Sequence, residues 1–401
     1  MNISIDRIEA LLLVAALVAM AARRMRVPYS IGLVVAGIAL SFVTTTPGFT
    51  LTKELIFGAF LPPLVFEAAL FINWRELKAD LGVIISLATV GVTAAAAVTA
   101  IGMHFFAGWA WGPATVFGAL IAATDPVSVI ATFKEAGVTG RLRLLVEAES
   151  LFNDSTAAIL FGVAVAIALG SGATAAGISW TLVTNVGGGL LVGGAVASAI
   201  LLVAGQTTDH LVEITFTTVA AYGSFLVAEH FHFSGVLATL VCGLLVGNVG
   251  PLGSISPKGR EAVESFWEYA AFVVNSLIFI LIGIREAAQS FKDMLWPIAI
   301  AIVLVTLGRA VAIYPLCALF RNSERRVSAK HQHVLFWGGL RGALALALAL
   351  GLPDTMPMHD EILAVTFGVV AFSLFAQGLT MTPLLRRVGE LPGGAKPTPP
   401  G

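Results

Sequence analysis

The sequence predicts an all-α polytopic membrane protein: thirteen membrane-spanning helices forming two inverted six-helix repeats, with the fifth and twelfth helices interrupted and crossing. Three observations carry this. Of 401 residues, 57% are apolar and only 12% are charged, against about 25% charged in a soluble domain. Divided at its polar breaks, the chain falls into thirteen stretches near the ~20 residues that a bilayer core requires. The Lys and Arg residues then collect on alternate loops of that map, as the positive-inside rule demands.

The first span, near 6–22, has the size of a signal peptide, but Asp6, Arg7 and Glu9 precede it and Arg23, Arg24 and Arg26 follow. A cleaved signal carries its charges in the other order, so a retained helix with its N-terminus outside is expected. The second lies near 29–45. The third, near 54–72, holds Leu61-Pro62-Pro63 and then Glu67, which either caps a kink or turns its carboxylate into a site. A fourth follows near 80–106, and the fifth, near 112–132, carries Thr124-Asp125-Pro126 at its middle. Pro126 removes a backbone donor and disfavours helical geometry at Asp125. Backbone left unpaired at that depth is tolerated only where it lines a cavity or binds something.

The sixth span, near 142–170, contains Glu147, Glu149, Ser150, Asn153 and Asp154. Ser150 and Asp154 are four residues apart, as are Glu149 and Asn153, so the pairs stack on adjoining stripes of one helix face. The seventh, near 180–204, is uncharged and rich in glycine (Gly187-Gly188-Gly189, Gly193-Gly194), which reads as close helix packing. Spans eight to ten lie near 209–229, 232–249 and 262–284. The eleventh, near 294–320, holds Arg309; the twelfth, near 330–351, sets Arg341 among Gly338, Gly339 and Gly342. The thirteenth, near 361–385, completes a transmembrane domain of residues 1–387. Residues 388–401, with Gly and Pro but no apolar period, are expected to form a disordered cytoplasmic tail.

With the N-terminus outside, 17 of the 23 Lys and Arg fall on inner loops and four on outer ones; Arg309 and Arg341 lie within spans. An odd span count lets helices 1–6 and 8–13 form two units of opposite orientation joined by helix 7, a common plan of secondary transporters. The interruptions at Asp125 and Arg341 then occupy matching positions, the strongest pointer in a sequence to a transport site. Half-helix ends carry opposing partial charges, which Asp125 and Arg341 are placed to neutralise.

Other classes are excluded by what the chain lacks. Cys242 and Cys317 both sit in apolar stretches, and Glu229-His230-Phe231-His232 has no i, i+4 histidine pair; neither a disulfide framework nor a zinc motif is readable. A net charge of -1 gives no reason to expect nucleic acid. Ionisable groups at membrane depth are functional candidates by default. Asp154 has neutral hydrogen-bonding neighbours and reads as a carrier rather than a strut. Glu149 reads as a strut holding Arg309 or Arg341, and Glu147, near the cytoplasmic end, as a solvated residue.

Four motifs now stand together: Leu61-Pro62-Pro63-Leu64-Val65-Phe66-Glu67, Thr124-Asp125-Pro126-Val127, Glu149-Ser150-Leu151-Phe152-Asn153-Asp154 and Gly338-Gly339-Leu340-Arg341-Gly342. In order and spacing the chain resembles the NhaP-type sodium/proton antiporters, prokaryotic relatives of the animal sodium/proton exchangers. The resemblance implies a homodimer and a six-helix core that moves against a dimerisation scaffold. It implies that Asp154 is the proton- and cation-binding carboxylate, preceded by Asn153. Ser150 and the Thr124 carbonyl would be further Na⁺ ligands, Asp125 would support the crossing, and Glu67 would contact the site. Glu149 and Arg309 would be the buried ion pair. Ser155 departs from the Gly frequent at that position, and Ala69 to Asn73 from the more usual Asn and Asp in that turn.

One carboxylate suffices for the expected mechanism. A carboxyl group removed from water crosses readily only when neutral or when a cation sits on it. Taking one H⁺ or one Na⁺ (or Li⁺), and never nothing, couples the two fluxes. Because Asn153 does not ionise, the exchange is expected to be 1:1 and electroneutral, with a bell-shaped pH dependence and no cofactor. The partners expected are Na⁺ or Li⁺, H⁺, the lipid of a prokaryotic inner membrane and a second copy of the chain. A K⁺/H⁺ exchanger with the same mechanism is the nearest alternative. A channel needs a continuous polar pore instead of one midplane cluster, and an intramembrane protease needs a catalytic pair that these residues do not form.

Overall fold

Long apolar runs in lipid leave backbone groups no partner but one another, and helix is the local solution. A computed structural model describes residues 5–25, 28–43, 52–125, 129–130, 132–133, 137–170, 175–287 and 294–390, and most of them are helical. Pro126, Lys134 and the tail from residue 391 lie outside the described residues.

In order, the helices are α1 (Ile5–Met25), α2 (Tyr29–Val43), α3 (53–71), α4 (Trp74–Ala107), α5 (Trp111–Ile121), α6 (Arg141–Ala168) and α7 (Ala175–Ala204). There follow α8 (His210–His230), α9 (Gly235–Val249), α10 (Pro257–Ala287), α11 (Leu295–Leu319), α12 (Ala329–Trp337), α13 (Ala343–Leu350) and α14 (His359–Val388). Among the described residues, 8 helices are long and apolar enough to cross a membrane. The twelfth expected span is divided into α12 and α13, and the fifth stops at Ile121.

Some helices begin earlier than hydropathy predicts. Helix α4 starts at Trp74 because the Asn73 side chain accepts the backbone N–H groups of Arg75 (2.9 Å) and Glu76 (3.4 Å), a capping geometry that satisfies orphan donors. Its charged first turns had read as loop. Asn248, near the end of α9, secures the same turn by accepting Trp74 N–H (2.8 Å) and donating to the Ile72 carbonyl (2.9 Å). Helix α10 has 31 residues and is unbroken.

The helices sort by contact into two bundles. One contains α1, α2, α3 and α7 to α10; the other contains α4, α5, α6 and α11 to α14. Close packing within each depends on glycine, as is usual between membrane helices. Gly37 of α2 lies against the Ile280 carbonyl and Gly283 of α10, Gly193 of α7 against the Ala238 carbonyl of α9, and Gly308 of α11 against Ala95 of α4. The glycine-rich α7 thus packs as its composition predicts. In the second bundle Arg141 at the start of α6 grips Asp80 of α4 (2.7 Å) and the carbonyls of Arg325 (2.6 Å) and Arg326 (2.9 Å).

Candidate ion-binding site

The site is built where two broken helices meet. Helix α5 ends at Ile121, and its last carbonyls have no helical partners; the same is true of the ends around the 338–342 link. The breaks satisfy each other. Asp125 N–H donates to the Leu340 carbonyl at 2.7 Å. Arg341 donates through Nη1 to the carbonyls of Ala122 (2.8 Å) and Ala123 (2.9 Å), at the C-terminal end of α5 where the helix dipole is negative. Its own N–H donates to Ser373 Oγ (2.7 Å), whose hydroxyl donates to Gln377 Oε1 (2.9 Å). The Asp125 carboxylate lies against Gly342, the residue that caps the N-terminus of α13, so closely that a Cβ there would collide with it. Cation and anion thus sit where the half-helix ends call for them.

Helix α6 supplies the remaining polar groups. Ser150 Oγ donates to the Thr124 carbonyl (2.7 Å) and accepts from Thr124 Oγ1 (3.1 Å), tying α6 to the link beyond α5. Glu149 is 1% exposed and receives Arg309 through both oxygens, at 2.7 and 2.9 Å. Arg309 also donates from Nε (3.2 Å) and Nη2 (3.0 Å) to the Leu335 carbonyl, near the end of α12. Of the two arginines that the sequence allowed, Arg309 is therefore the partner of Glu149. Asn153 leans towards Glu149 (Nδ2 to Oε1, 3.4 Å) rather than into open space. Asp154 is 8% exposed, and its Oδ1 finds no hydrogen-bond partner among the described residues.

Asp154 lines a cavity of about 330 Å³ between the two bundles, with room for roughly ten waters. Thr124, Asp125 and Asp154 line it from one bundle, and Glu67 faces them from α3. Glu67 therefore belongs to the cavity rather than only to a kink. Ser150 and Asn153 are not among the lining residues. Glu147, expected to be merely solvated, also lines it, with Arg143 at 3.5 Å.

Among the polar and aromatic lining residues, sequence reasoning missed Tyr29, Glu268, Phe272 and Asn275. A usable signal existed for the last three, because positions 268, 272 and 275 share one helix face and two of them are polar in an apolar run. Tyr29, whose ring lies 6.2 Å from that of Phe272, gave none.

Comparison with known proteins adds to this geometry. Residues 10–387 match the family described as the sodium/hydrogen exchanger, transmembrane. The chain is similar to the Na⁺/H⁺ antiporter ApNhaP of Aphanothece halophytica, with 39% identity over 368 residues, 91% of this chain and 70% of that protein. It is 39% identical over 363 residues to the low-affinity Na⁺/H⁺ antiporter NhaS1 of Synechocystis, covering 88% of this chain and 68% of that one. The fold matches the solved structure of the sodium proton antiporter MjNhaP1 of Methanocaldococcus jannaschii at pH 8, with a TM-score of 0.79 and 19% identity. That match covers 97% of this chain and 98% of the other.

Proposed function

Given that this chain belongs to the sodium/hydrogen exchanger family, multi-pass membrane transporters rather than enzymes, we propose that it exchanges Na⁺ or Li⁺ for H⁺, one for one, through Asp154. The observation that carries this reading is the contrast in charge balance between Asp154 and the other four charges at the helix crossing. Glu149 is matched by Arg309, and Asp125 and Arg341 each meet the broken-helix end of opposite polarity. Those four formal charges cancel. Asp154 is left over, buried, with an oxygen turned to no protein donor. One H⁺ or one monovalent cation restores neutrality, and neither leaves a carboxylate too costly to carry through lipid.

The ligand set is all oxygen, which suits a hard cation. Asp154 and the Thr124 carbonyl face the ion with water from the cavity. Ser150 joins when its hydroxyl turns from that carbonyl, and Glu67 approaches from the other bundle. Alternating access is the motion of the bundle containing α5, α6, α12 and α13 against the bundle containing α3 and α10. The breaks at matching positions support an inverted-repeat plan. The clustering of Lys and Arg on inner loops supports a prokaryotic inner-membrane protein with its C-terminus in the cytoplasm, and the family supports a homodimer. No cofactor takes part. Raising the pH frees Asp154 for cations until protons become scarce, so the rate peaks at an intermediate pH.

The test is proton flux in vesicles holding purified protein, with a pH gradient followed while Na⁺, Li⁺ or K⁺ is added, for wild type and Asp154→Asn. Collapse of the gradient by Na⁺ or Li⁺ in wild type alone is the expected result. Response to K⁺ alone replaces the substrate; an active Asp154→Asn protein overturns the mechanism.

A further inference from the structure

Four residues of α10 line the cavity that Asp154 also lines: Glu268, Ala271, Phe272 and Asn275. Their spacing of i, i+3, i+4 and i+7 makes them one stripe along an unbroken helix. At 1.5 Å per residue, Asn275 lies about 10 Å further along the axis than Glu268. Glu268 is exposed and Asn275 is 8% exposed, so the stripe runs from the cavity's rim to its depth. The Asn275 carboxamide makes no hydrogen bond to the protein among the described residues, although the next residues along the helix, Val273 and Val274 before it and Leu277 after Ser276, are apolar. The carboxamide instead faces the cavity, where water or an ion supplies the partner that the protein does not. A leucine would pack such a helix face better, and a small polar group facing an ion's path is the physical alternative.

We infer that the Asn275 side-chain oxygen is a cation ligand supplied by the wall opposite Asp154, and that it sets the preference among monovalent cations. A neutral carbonyl oxygen replaces one water of a hard cation's shell, as backbone carbonyls do in selective pores. It adds no charge, so the count that couples one cation to one proton is untouched. The two walls belong to different bundles. An oxygen on α10 therefore meets the ion only while the Asp154 bundle sits against it, and it acts on cation affinity rather than on proton binding.

The inference rests on exchange at Asp154, and its test separates the two. Half-saturating Na⁺, Li⁺ and K⁺ concentrations and maximal rates are measured in proteoliposomes for wild type, Asn275→Leu, Asn275→Ala and Asn275→Gln, with Asp154→Asn as the inactive reference. Asn275→Leu and Asn275→Ala raise the half-saturating Na⁺ about fivefold, the scale of one polar contact. Their maximal rates stay within about twofold, their Li⁺-to-Na⁺ preference shifts and their pH profile is unchanged, while Asn275→Gln restores most of the affinity. If Leu disturbs folding, the Ala protein decides, together with the Na⁺-induced rise in its thermal unfolding midpoint, which is smaller than in wild type. Wild-type half-saturation and ion preference in Asn275→Ala overturn the inference and leave Asp154 untouched. An active Asp154→Asn protein overturns the mechanism itself, whatever Asn275 does.

Discussion

Replacing Arg309 by Met tests whether α6, α11 and α12 are held together as one unit. Its guanidinium makes four contacts: 2.7 and 2.9 Å to the two Glu149 oxygens, and 3.2 and 3.0 Å to the Leu335 carbonyl. Glu149 is 1% and Arg309 6% exposed, so water does not replace what is lost. Removing one member of a buried pair costs about 3–5 kcal/mol, chiefly because the other charge is stranded. Arg309→Met and Glu149→Leu should each fall in that range. The double variant strands no charge and leaves only the Leu335 carbonyl and the Asn153 amide short of partners, about 1–3 kcal/mol. The double loss should therefore be smaller than either single loss. Reversible unfolding in mixed dodecyl maltoside and SDS micelles, followed by tryptophan fluorescence, measures all three. Additive losses, or a cost below about 1 kcal/mol for Arg309→Met alone, would refute a desolvated, mutually dependent pair.

Three further outcomes are expected from the crossing, the carrier and the α10 cap. Gly342→Ala drives a methyl group into the Asp125 carboxylate and should cost about 1–3 kcal/mol of stability and at least about tenfold in vesicle exchange rate. Gly82→Ala, where a Cβ meets nothing within 4 Å, is the silent control in both measurements. Asp154→Asn should abolish cation-driven proton flux while leaving the unfolding midpoint close to that of wild type. Glu213, fully buried in α8, accepts Ser256 N–H at 2.8 Å and Ser256 Oγ at 3.0 Å ahead of α10. Glu213→Ala should lower stability by about 1–3 kcal/mol in the same micelle titration.

What could be read from the chain beforehand divides along physical lines. The helix breaks were legible because their causes are local: three glycines around Arg341, and a proline after Asp125. The polar face of α6 was legible because i, i+4 spacing is a property of one helix. The partner of Glu149 was legible only through the family resemblance, which pointed to Arg309; by spacing alone two buried arginines were equally available, and it is the Leu335 carbonyl and the course of α11 that select Arg309. Glu147 was read as solvated, and it is partly exposed; that its solvent is the cavity reaching Asp154 was not legible, because the cavity's extent is set by packing between helices. Tyr29 enters the site from α2, far from every motif, and such proximity is a property of the packing between bundles; Asn275 shares a polar face with Glu268 on α10, a signal that marks the face but not what it meets. The early start of α4 was hidden by Arg75, Glu76 and Lys78, which lower hydropathy without breaking a helix that Asn73 caps.

The unbroken α10 also bears on the electrical profile across the protein. Its 31 residues extend about 46 Å, but its uncharged stretch, 269–284, extends only about 24 Å, against roughly 30 Å of hydrocarbon. Glu268 is exposed at one end of that stretch and lines the same cavity as Asp154, so this wall presents a shorter uncharged length than the hydrocarbon around it. The same voltage dropped over a shorter distance is a steeper field. An uncompensated charge moving through it would do its work against voltage within a few ångströms, whereas a carboxylate that is neutralised throughout its movement draws no net work from that field.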